Sequence, residues 1–302
     1  MRFIDRVIAG FLPYTPRAIV GRVAERYIAG ETPEDAIRVA RRLNTKGFRA
    51  TMDILGEDVH RLGQARTAAK NYRNLVDELA RQKVDSTVSV KLTQLGLKVD
   101  KNECLHLADS VVAQASGHGN FVRIDMEDSS CTSDTLDLYM ELRRRHENVG
   151  VVLQAYLRRT ASDVERLIAE LHPLEPNFRL CKGVYVEPES IAYHDMAEIN
   201  RNYLMLLERF LSSGIYVGIA THDEHLVAEA QRMIAELRLT PEAYEFQMLL
   251  GVTEALRDRI RRAGHPLRVY IPFGRDWYAY SVRRLRENPR LAGYVLRAMF
   301  RR

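Results

Sequence analysis

The sequence predicts a (β/α)8 barrel with helices before its first strand and a final helix over the mouth formed by the carboxyl ends of the strands. Three observations favour this fold class. The chain has 302 residues, which is enough for one large α/β domain. Eight short runs rich in β-branched and aromatic residues alternate with longer segments of helical periodicity. Polar side chains stand at the ends of most of these runs, where barrels of this class carry their functional groups.

Residues 1–47 are predicted to form an N-terminal helical segment, and residues 48–302 are predicted to form the barrel with its C-terminal helix. Thr32-Pro33-Glu34-Asp35 has the features of a helix start: a hydroxyl cap, a proline in the first turn and acidic side chains at the positive end of the helix dipole. Gly47 is predicted to end this helix, because glycine readily adopts the left-handed conformation that follows helix C-termini.

Eight strands are predicted after this segment. They lie at residues 48–55, 86–92, 121–126, 150–155, 178–182, 216–220, 244–248 and 268–271. Segments of helical periodicity between them include residues 136–145, 161–171, 191–211 and 226–237. The strands lack strict alternation of apolar and polar residues, as expected when both faces of a parallel sheet are buried.

An open, doubly wound sheet is the alternative fold, and it usually has fewer strands and a glycine-rich dinucleotide turn after a strand. The sequence has no G-x-G-x-x-G motif, and Gly117-His-Gly119 precedes a predicted strand instead of following one. The count of eight strands therefore favours the barrel.

The last strand and helix carry the most informative pattern of the sequence. Arg268-Val-Tyr-Ile-Pro-Phe-Gly274 is predicted to be a strand that ends in a turn, and Tyr280-Ser-Val-Arg-Arg-Leu-Arg-Glu-Asn288 is predicted to be a helix. Neighbouring residues of a helix point about 100° apart, so Arg283 and Arg284 cannot both lie on one solvated stripe. Two guanidiniums that approach from different angles suit a carboxylate, which accepts bidentate hydrogen bonds. A basic surface helix is the alternative interpretation.

The composition is typical of a globular protein, with 46% hydrophobic and 28% charged residues. The net charge of +5 favours acidic small molecules or an anionic surface and does not call for nucleic acid. Cys104, Cys131 and Cys181 are widely spaced and suggest neither a disulfide framework nor a zinc site, which is consistent with the cytoplasm. No segment reaches the roughly 20 apolar residues that span a bilayer. Both ends of the chain are basic and amphipathic, so they suit either a membrane surface or packing against the body of the protein.

Polar and ionisable side chains collect where the predicted strands run into the following loops. They are Lys91, Asp125, Glu127, Gln154, Arg179, Lys182, Thr221, His222, Asp223, Gln247 and Tyr270. Arg179 and Asp125 stand inside apolar runs, and a buried charge needs a partner. A single buried polar residue can be an ordinary satisfied core group, but seven of the eight strands carry one, which indicates a shared site.

Two chemistries are compatible with part of this set. Asp125, Glu127 and the His222-Asp-Glu-His225 cluster contain metal-ligand types, but the cationic side chains around them repel a divalent ion, so no metal is predicted. Lys91 or Lys182 could form an imine with a carbonyl substrate, as in a barrel aldolase or lyase.

A flat, anionic cofactor uses more of the set. Side chains and backbone groups suited to phosphates are Lys182, Gly183, Thr221 and His222. Gln154 and Arg179 suit the polar edge of a heteroaromatic ring. Arg283 and Arg284 would bind a substrate carboxylate. The apolar wall of the site would be formed by Tyr270, Tyr280 and Leu249. Together these residues predict a small amino or keto acid held against a redox cofactor. A non-catalytic protein that binds a membrane surface through its basic ends is the remaining class.

Several motifs resemble those of the proline dehydrogenases. Arg179-Leu-Cys-Lys-Gly-Val-Tyr185 is similar to the R-L-V-K-G-A-Y segment of that family. The other similar motifs are Ser89-Val-Lys-Leu92, Val152-Leu-Gln-Ala-Tyr156, Ala220-Thr-His222, Tyr244-Glu-Phe-Gln247 and Tyr280-x-x-Arg-Arg-x-x-Glu-Asn288. They occur in the family's order from about Phe48 to Asn288, and the chain length resembles the monofunctional bacterial form.

The resemblance implies a distorted (β/α)8 barrel and non-covalent FAD. The implied reaction is oxidation of L-proline to Δ1-pyrroline-5-carboxylate, with hydride transfer to flavin N5 and electrons passed to a membrane quinone. It also implies a cytoplasmic enzyme with peripheral contact at the inner face of the cell membrane.

The resemblance further assigns roles to individual positions. The implied proline-binding residues are Lys91, Leu249, Tyr270, Tyr280, Arg283 and Arg284, and the implied catalytic residues are Asp125, Arg179 and Tyr270. The implied FAD-binding residues are Met126, Gln154, Arg179, Lys182, Gly183, Val184, Thr221, His222 and Glu287. Cys181 and Val184 stand where the family more often has valine and alanine, so packing under the flavin is expected to differ slightly.

Overall fold

A computed structural model of the chain describes residue 24, residues 26–56, residues 58–278 and residue 281. Helices and strands alternate through this part of the chain. The helices are α1 (Pro33–Asn44), α2 (Leu62–Arg81), α3 (Lys101–Gly117), α4 (Thr132–Arg145), α5 (Thr160–Leu171), α6 (Met196–Ser212), α7 (Glu224–Glu236) and α8 (Glu254–Arg262). The strands are β1 (Arg49–Ile54), β2 (Ser86–Val90), β3 (Val122–Ile124), β4 (Val149–Gln154), β5 (Asn177–Cys181), β6 (Tyr216–Ala220), β7 (Tyr244–Leu249) and β8 (Leu267–Phe273).

The strands close into a parallel barrel in the order β1 to β8. β8 completes the barrel by pairing in parallel with β1, from Arg49 opposite Arg268 to Ile54 opposite Phe273. This topology confirms the predicted (β/α)8 fold. All predicted strands coincide with observed ones, and their ends differ by at most two residues.

The strands are buried on both faces, but the two faces differ in chemistry. Outward-facing residues such as Val88, Val151 and Ile219 belong to the apolar core between the barrel and its helices. Inward-facing positions are largely polar, whereas barrels of this class usually fill their interior with branched apolar side chains. The polar residues facing inward include Thr87, Lys91, Arg123, Asp125, Gln154, Asn177, Arg179, Glu245, Gln247, Arg268 and Tyr270.

Two glycines make room for these large interior side chains. A Cβ atom at Gly150 in β4 would overlap the guanidinium of Arg123. A Cβ atom at Gly218 in β6 would lie 2.5 Å from Nε2 of Gln247. Because such contacts are closer than van der Waals packing permits, both positions need the absence of a side chain.

Helix starts follow from local capping groups. Thr32 caps α1 as predicted and forms a capping box with Asp35, and Gly47 has a left-handed φ of 78° after the end of α1. The predicted helix at 191–211 was wrong at its beginning, since α6 starts at Met196. The Asp195 carboxylate accepts hydrogen bonds from the backbone of Ala197 and Glu198, so this residue caps the helix and the preceding residues form a loop.

Parts of the predicted architecture lie outside the described residues. Within the segment 1–47, the structure describes α1 and the residues next to it, and the final helix at 280–288 falls almost entirely outside. Across the part of the chain that is described, no helix combines the length and the apolar character required to cross a bilayer.

Candidate active site

A cavity of about 400 Å³ opens at the carboxyl ends of the barrel strands. Many of the predicted site residues line it together. They are Lys91, Asp125, Met126, Gln154, Arg179, Lys182, Gly183, Val184, Thr221, His222, Leu249 and Tyr270. Their common position follows from the parallel barrel, which brings the ends of all strands to one face. A larger groove of about 980 Å³ lies beside α1 and α2 and contains none of the predicted site residues.

Lys91 is held by an aspartate that the sequence interpretation missed. Its Nζ atom donates to both carboxylate oxygens of Asp53 at 2.7 Å, and it lies 3.8 Å from Oδ2 of Asp125. Burial raises the pKa of the Asp53 carboxyl, while the Lys91 ammonium counteracts this effect. Asp53 stands in a buried strand run, which is the same signal that identified Asp125. Extending that reasoning to β1 would have found it.

Asp125 is the centre of a hydrogen-bond network at the cavity floor. Oδ1 accepts from Nη1 of Arg179 at 2.8 Å and from the Ser89 hydroxyl at 3.1 Å. Oδ2 accepts from the Tyr270 hydroxyl at 2.7 Å. The Arg179 guanidinium carbon also lies 5.4 Å from the centre of the Tyr270 ring. Asp125 therefore couples the orientations of Arg179 and Tyr270.

Gln154 presents an acceptor that has no partner among the described residues. Its Nε2 atom donates to the backbone carbonyls of Met126 and Glu127, both at 3.3 Å. Its Oε1 atom is buried and makes no hydrogen bond with any described group. A buried polar atom without a partner is costly, so this oxygen suits a ligand N–H group.

Lys182 and Gly183 occupy the turn after β5. Nζ of Lys182 donates to Oδ2 of Asp223 at 2.7 Å. Gly183 has a φ of 111°, and a Cβ atom there would overlap the Tyr156 ring. Glycine is therefore required both by the backbone conformation and by the close aromatic neighbour.

The loop after β6 is tied to the end of β7. Nε2 of His222 accepts a hydrogen bond from the backbone N–H of Leu249 at 3.2 Å, and Nδ1 lies 3.0 Å from the Thr253 hydroxyl. The Thr221 hydroxyl accepts from the backbone N–H of Asp223 at 3.1 Å. With Nε2 as an acceptor, the imidazole is neutral and its proton lies on Nδ1.

The residues of metal-ligand type near the cavity have other roles. Glu127 is buried and accepts from the backbone N–H of Thr93 at 3.0 Å. Asp223 caps α7 and pairs with Lys182, and His225 lies in the first turn of α7. In the described ranges, no three potential ligands come close enough to hold a metal ion.

Tyr280, Arg283, Arg284 and Glu287 lie outside the described residues. The proposed carboxylate clamp and the contribution of Glu287 therefore remain sequence-based predictions.

Comparison with known proteins identifies the family. The model of the proline dehydrogenase family matches residues 36–296. A proline dehydrogenase of Deinococcus radiodurans is 36% identical over 284 residues, which cover 92% of this chain and 90% of the relative. Proline dehydrogenase 1 of Bacillus subtilis is 34% identical over 279 residues, which cover 92% of this chain and 91% of the relative.

Solved structures share the fold. Proline utilization A (PutA) from Bdellovibrio bacteriovorus, inactivated by N-propargylglycine, has a TM-score of 0.81 and 28% identity, over 87% of this chain and 32% of that chain. A Bradyrhizobium japonicum PutA variant has a TM-score of 0.78 and 23% identity over 92% of this chain and 32% of that chain, a likeness that concerns the fold alone. The chain thus spans about a third (32%) of the length of these PutA chains. The match of the family model and of relatives along nearly their whole length establishes that the chain belongs to the proline dehydrogenase family.

Proposed function

We propose that the cavity binds FAD and that the protein uses it to oxidise L-proline to Δ1-pyrroline-5-carboxylate. One observation carries the proposal: Lys91 just after β2, Gln154 in β4 and Arg179 in β5 face the same cavity beside Tyr270. This arrangement provides hydrogen-bonding groups for a flat ring and a positive charge for a small acid.

The donor and acceptor set fits a flavin. The free acceptor Oε1 of Gln154 suits the N–H group of the flavin pyrimidine ring. Arg179 supplies a fixed positive charge for the polar edge of the ring, where reduction increases negative charge. When bound, FAD supplies the hydride acceptor. Further residues proposed to hold FAD are Met126, Lys182, Gly183, Val184, Thr221, His222 and Glu287.

The proline site is proposed to combine charge with an apolar wall. Lys91 lies at the cavity floor, but Asp53 offsets much of its charge. We therefore assign most of the carboxylate attraction to Arg283 and Arg284, with bidentate hydrogen bonds from their guanidiniums. Tyr270, Tyr280 and Leu249 are assigned to the pyrrolidine ring, where their packing excludes water.

Asp125 is proposed to act through orientation. Its two oxygens already accept hydrogen bonds from Arg179, Ser89 and Tyr270. A carboxylate so occupied is poorly placed to remove a proton, and it fixes Arg179 and Tyr270 against the reacting groups. The proline nitrogen must be neutral when hydride leaves, because its lone pair stabilises the developing iminium.

The imine-forming alternative is less favoured by the contacts of the two lysines. Lys91 is paired with Asp53, and Lys182 is paired with Asp223. A neighbouring carboxylate stabilises the charged ammonium, whereas imine formation requires a neutral amine.

A membrane quinone is the proposed electron acceptor. We expect the enzyme to work in the cytoplasm and to touch the inner face of the membrane through its basic ends. Reduction of a soluble short-chain quinone in the presence of L-proline tests the quinone as electron acceptor. Sedimentation of the protein with anionic vesicles tests the contact with the membrane.

The absorbance spectrum of the purified protein tests the function directly. We expect the bands of an oxidised flavin at the blue end of the visible spectrum, and we expect L-proline to bleach them when oxygen is excluded. A protein that remains colourless after incubation with FAD would refute the proposal. Trapping of a carbonyl substrate on Lys91 or Lys182 by borohydride would favour the aldolase or lyase class.

A further inference from the structure

We propose that Glu245 and Gln247, two inward-facing residues of β7, are positioning residues that fix the orientation of Arg179 at the cavity floor. This inference rests on the proposed function, because it concerns the arginine assigned to the flavin edge. The sequence pattern places Gln247 among the polar residues at the strand ends but assigns it no role, and it does not single out Glu245.

A chain of hydrogen bonds crosses the barrel interior. Near the amino ends of the strands, the Glu245 carboxylate accepts hydrogen bonds from Nε of Arg268 at 2.6 Å and from Nη1 of Arg49 at 3.3 Å. Oε1 of Glu245 also accepts from Nε2 of Gln247 at 2.7 Å. Oε1 of Gln247 accepts from Nε of Arg179, which stands at the floor of the cavity. The chain thus connects the far end of the barrel with the proposed active site.

The two ends of the chain determine which way the Gln247 amide points. Burial opposes ionisation of Glu245, but the charge of Arg268 and the hydrogen bonds from Arg268 and Gln247 leave its pKa below the ordinary value. An ionised carboxylate can only accept, and a guanidinium can only donate. The amide nitrogen must therefore face Glu245, and the amide oxygen must face Arg179. A reversed amide would lose both hydrogen bonds.

The contact with Gln247 completes the restraint of the Arg179 guanidinium. Nε donates to Gln247, Nη1 donates to Asp125 at 2.8 Å, and Nη2 donates to Ser89 at 3.2 Å. Since all three nitrogens of a planar group are held, its rotation about the side-chain axis is defined. Without the Gln247 acceptor, the guanidinium would be held along one edge only.

The backbone of β6 leaves space for this chain of hydrogen bonds. Gly218 in β6 pairs with Glu245 in the register of β6 and β7, and a Cβ atom there would stand 2.5 Å from Nε2 and 2.8 Å from Cδ of the Gln247 amide. The φ of Gly218 is not in the left-handed region, so space and not backbone conformation explains the glycine. The barrel wall is therefore recessed at the position where the amide passes.

Two substitutions interrupt the chain in different ways. Gln247→Met keeps the length of the side chain and removes both hydrogen-bonding groups. Gly218→Ala leaves every hydrogen-bonding group in place and displaces the amide. The matched control is Val217→Ala, which shortens a buried residue of the same strand that faces the helices.

We expect both interruptions to alter the flavin and the chemical step. Because hydrogen bonds to a charged group are stronger than those between neutral groups, kcat for proline oxidation should fall about tenfold or more, with KM changed less than about twofold. The midpoint potential of bound FAD, measured without proline, should become more negative because a misplaced Arg179 stabilises the reduced flavin less. Val217→Ala should lower the free energy of unfolding while leaving the potential and kcat unchanged.

The outcomes separate this inference from the proposed function. If the unsubstituted protein binds FAD and oxidises proline, and Gln247→Met and Gly218→Ala retain its potential and kcat, the positioning role is refuted and the function stands. Equal shifts in Val217→Ala would also refute it, because general loss of stability would explain them. An unsubstituted protein that binds no FAD would overturn the proposed function itself.

Discussion

Lys91 and Asp53 form a buried ion pair, in which the two side chains are 8% and 0% exposed. The Tyr72 hydroxyl also lies within 3.4 Å of Asp53. Asp53 therefore gives Lys91 one fixed position in the cavity floor. A buried pair of this kind contributes little net stability compared with apolar residues, but loss of one partner leaves an uncompensated charge.

Asp53→Asn is predicted to destabilise the fold and to weaken proline binding. The Lys91 ammonium would lose its nearer counter-charge inside the protein, and such a change costs about 3 kcal/mol. Lys91 would also move toward Asp125, which lies 3.8 Å away. Urea unfolding measures the first effect, and the KM for proline measures the second.

The control for this prediction is a double-mutant cycle with Lys91→Met. Because the doubly substituted protein contains no uncompensated buried charge, its loss of stability should be smaller than the sum of the two single losses. Strictly additive losses would show that the two side chains do not stabilise each other.

At this scale the sequence identifies residue types better than partners. Arg179 and Asp125 were recognised because a charge inside an apolar strand needs a partner, and the structure pairs them with each other. Asp53 had the same signal and was overlooked. The hydrogen bond between Arg179 and Gln247 joins residues far apart in the chain, so no local pattern could predict it.

Side chains along the strands alternate between the barrel interior and the surrounding helices. In β2 and the residue after it, Thr87, Ser89 and Lys91 face the interior, whereas Val88 and Val90 face the helices. Burial on both faces was expected, but the polarity of the inner face was not. The sequence predicts strand positions well because β-branched runs are local features. Which side chains fill the barrel interior depends instead on how the strands close into a barrel.

Helix beginnings depend on a few polar groups, and their prediction succeeded where those groups were recognised. The start of α1 was identified from the hydroxyl cap of Thr32, the proline after it and the acidic side chains of the first turn. The start of α6 was missed because the apolar residues Ile191 and Tyr193 extend the helical pattern upstream of the Asp195 cap. These residues pack in a separate cluster with Tyr156 and Leu157 instead of continuing the helix.

Asp223 joins a helix cap to an ion pair, and its effect on stability is predicted to depend on pH. Burial raises the pKa of its carboxyl, but the hydrogen bond and charge of Lys182, together with backbone hydrogen bonds from His225 and Leu226, leave the pKa below the ordinary value. A lowered folded-state pKa stabilises the protein above the unfolded pKa of about 3.9, and the effect is lost as pH falls through the folded value.

The test compares the unsubstituted protein with Asp223→Asn. Asparagine retains the capping acceptor, so the difference in unfolding free energy should reflect the charge, stay below about 1 kcal/mol at neutral pH and vanish in acid. Urea unfolding between neutral and acidic pH measures it. A difference that is independent of pH would contradict the assignment. Asp223→Ala should lose about 1 kcal/mol more, because it also removes the cap.

On the scale of the whole molecule, closure of the barrel unites residues that are distant in sequence. Lys91 and Tyr270 are separated by most of the chain, yet they line one cavity because β8 pairs with β1. The order of eight strands was predictable from the alternation of elements. The relative depth of each side chain in the cavity was not, since it depends on the register between strands.

Binding of FAD is predicted to stabilise the entire barrel. The described groups assigned to it come from β4, β5 and the loops after β3, β5 and β6, so local unfolding of any of these would release the cofactor. At a free FAD concentration 100 times its Kd, the free energy of unfolding should rise by about 2.7 kcal/mol. Urea unfolding with and without added FAD measures this increase. Equal midpoints under both conditions would contradict binding to the native fold.

Gly150 lies beside residue 123, which is distant in sequence but adjacent in space. Its missing side chain leaves the volume that the Arg123 guanidinium fills, where that group donates to the carbonyl of Asn177 at 2.8 Å. A Cβ atom at 150 would also lie 2.5 Å from the backbone carbonyl oxygen of Asn177, and no change of residue 123 relieves that contact. We therefore expect glycine at 150 to persist in related chains even where residue 123 is smaller than arginine.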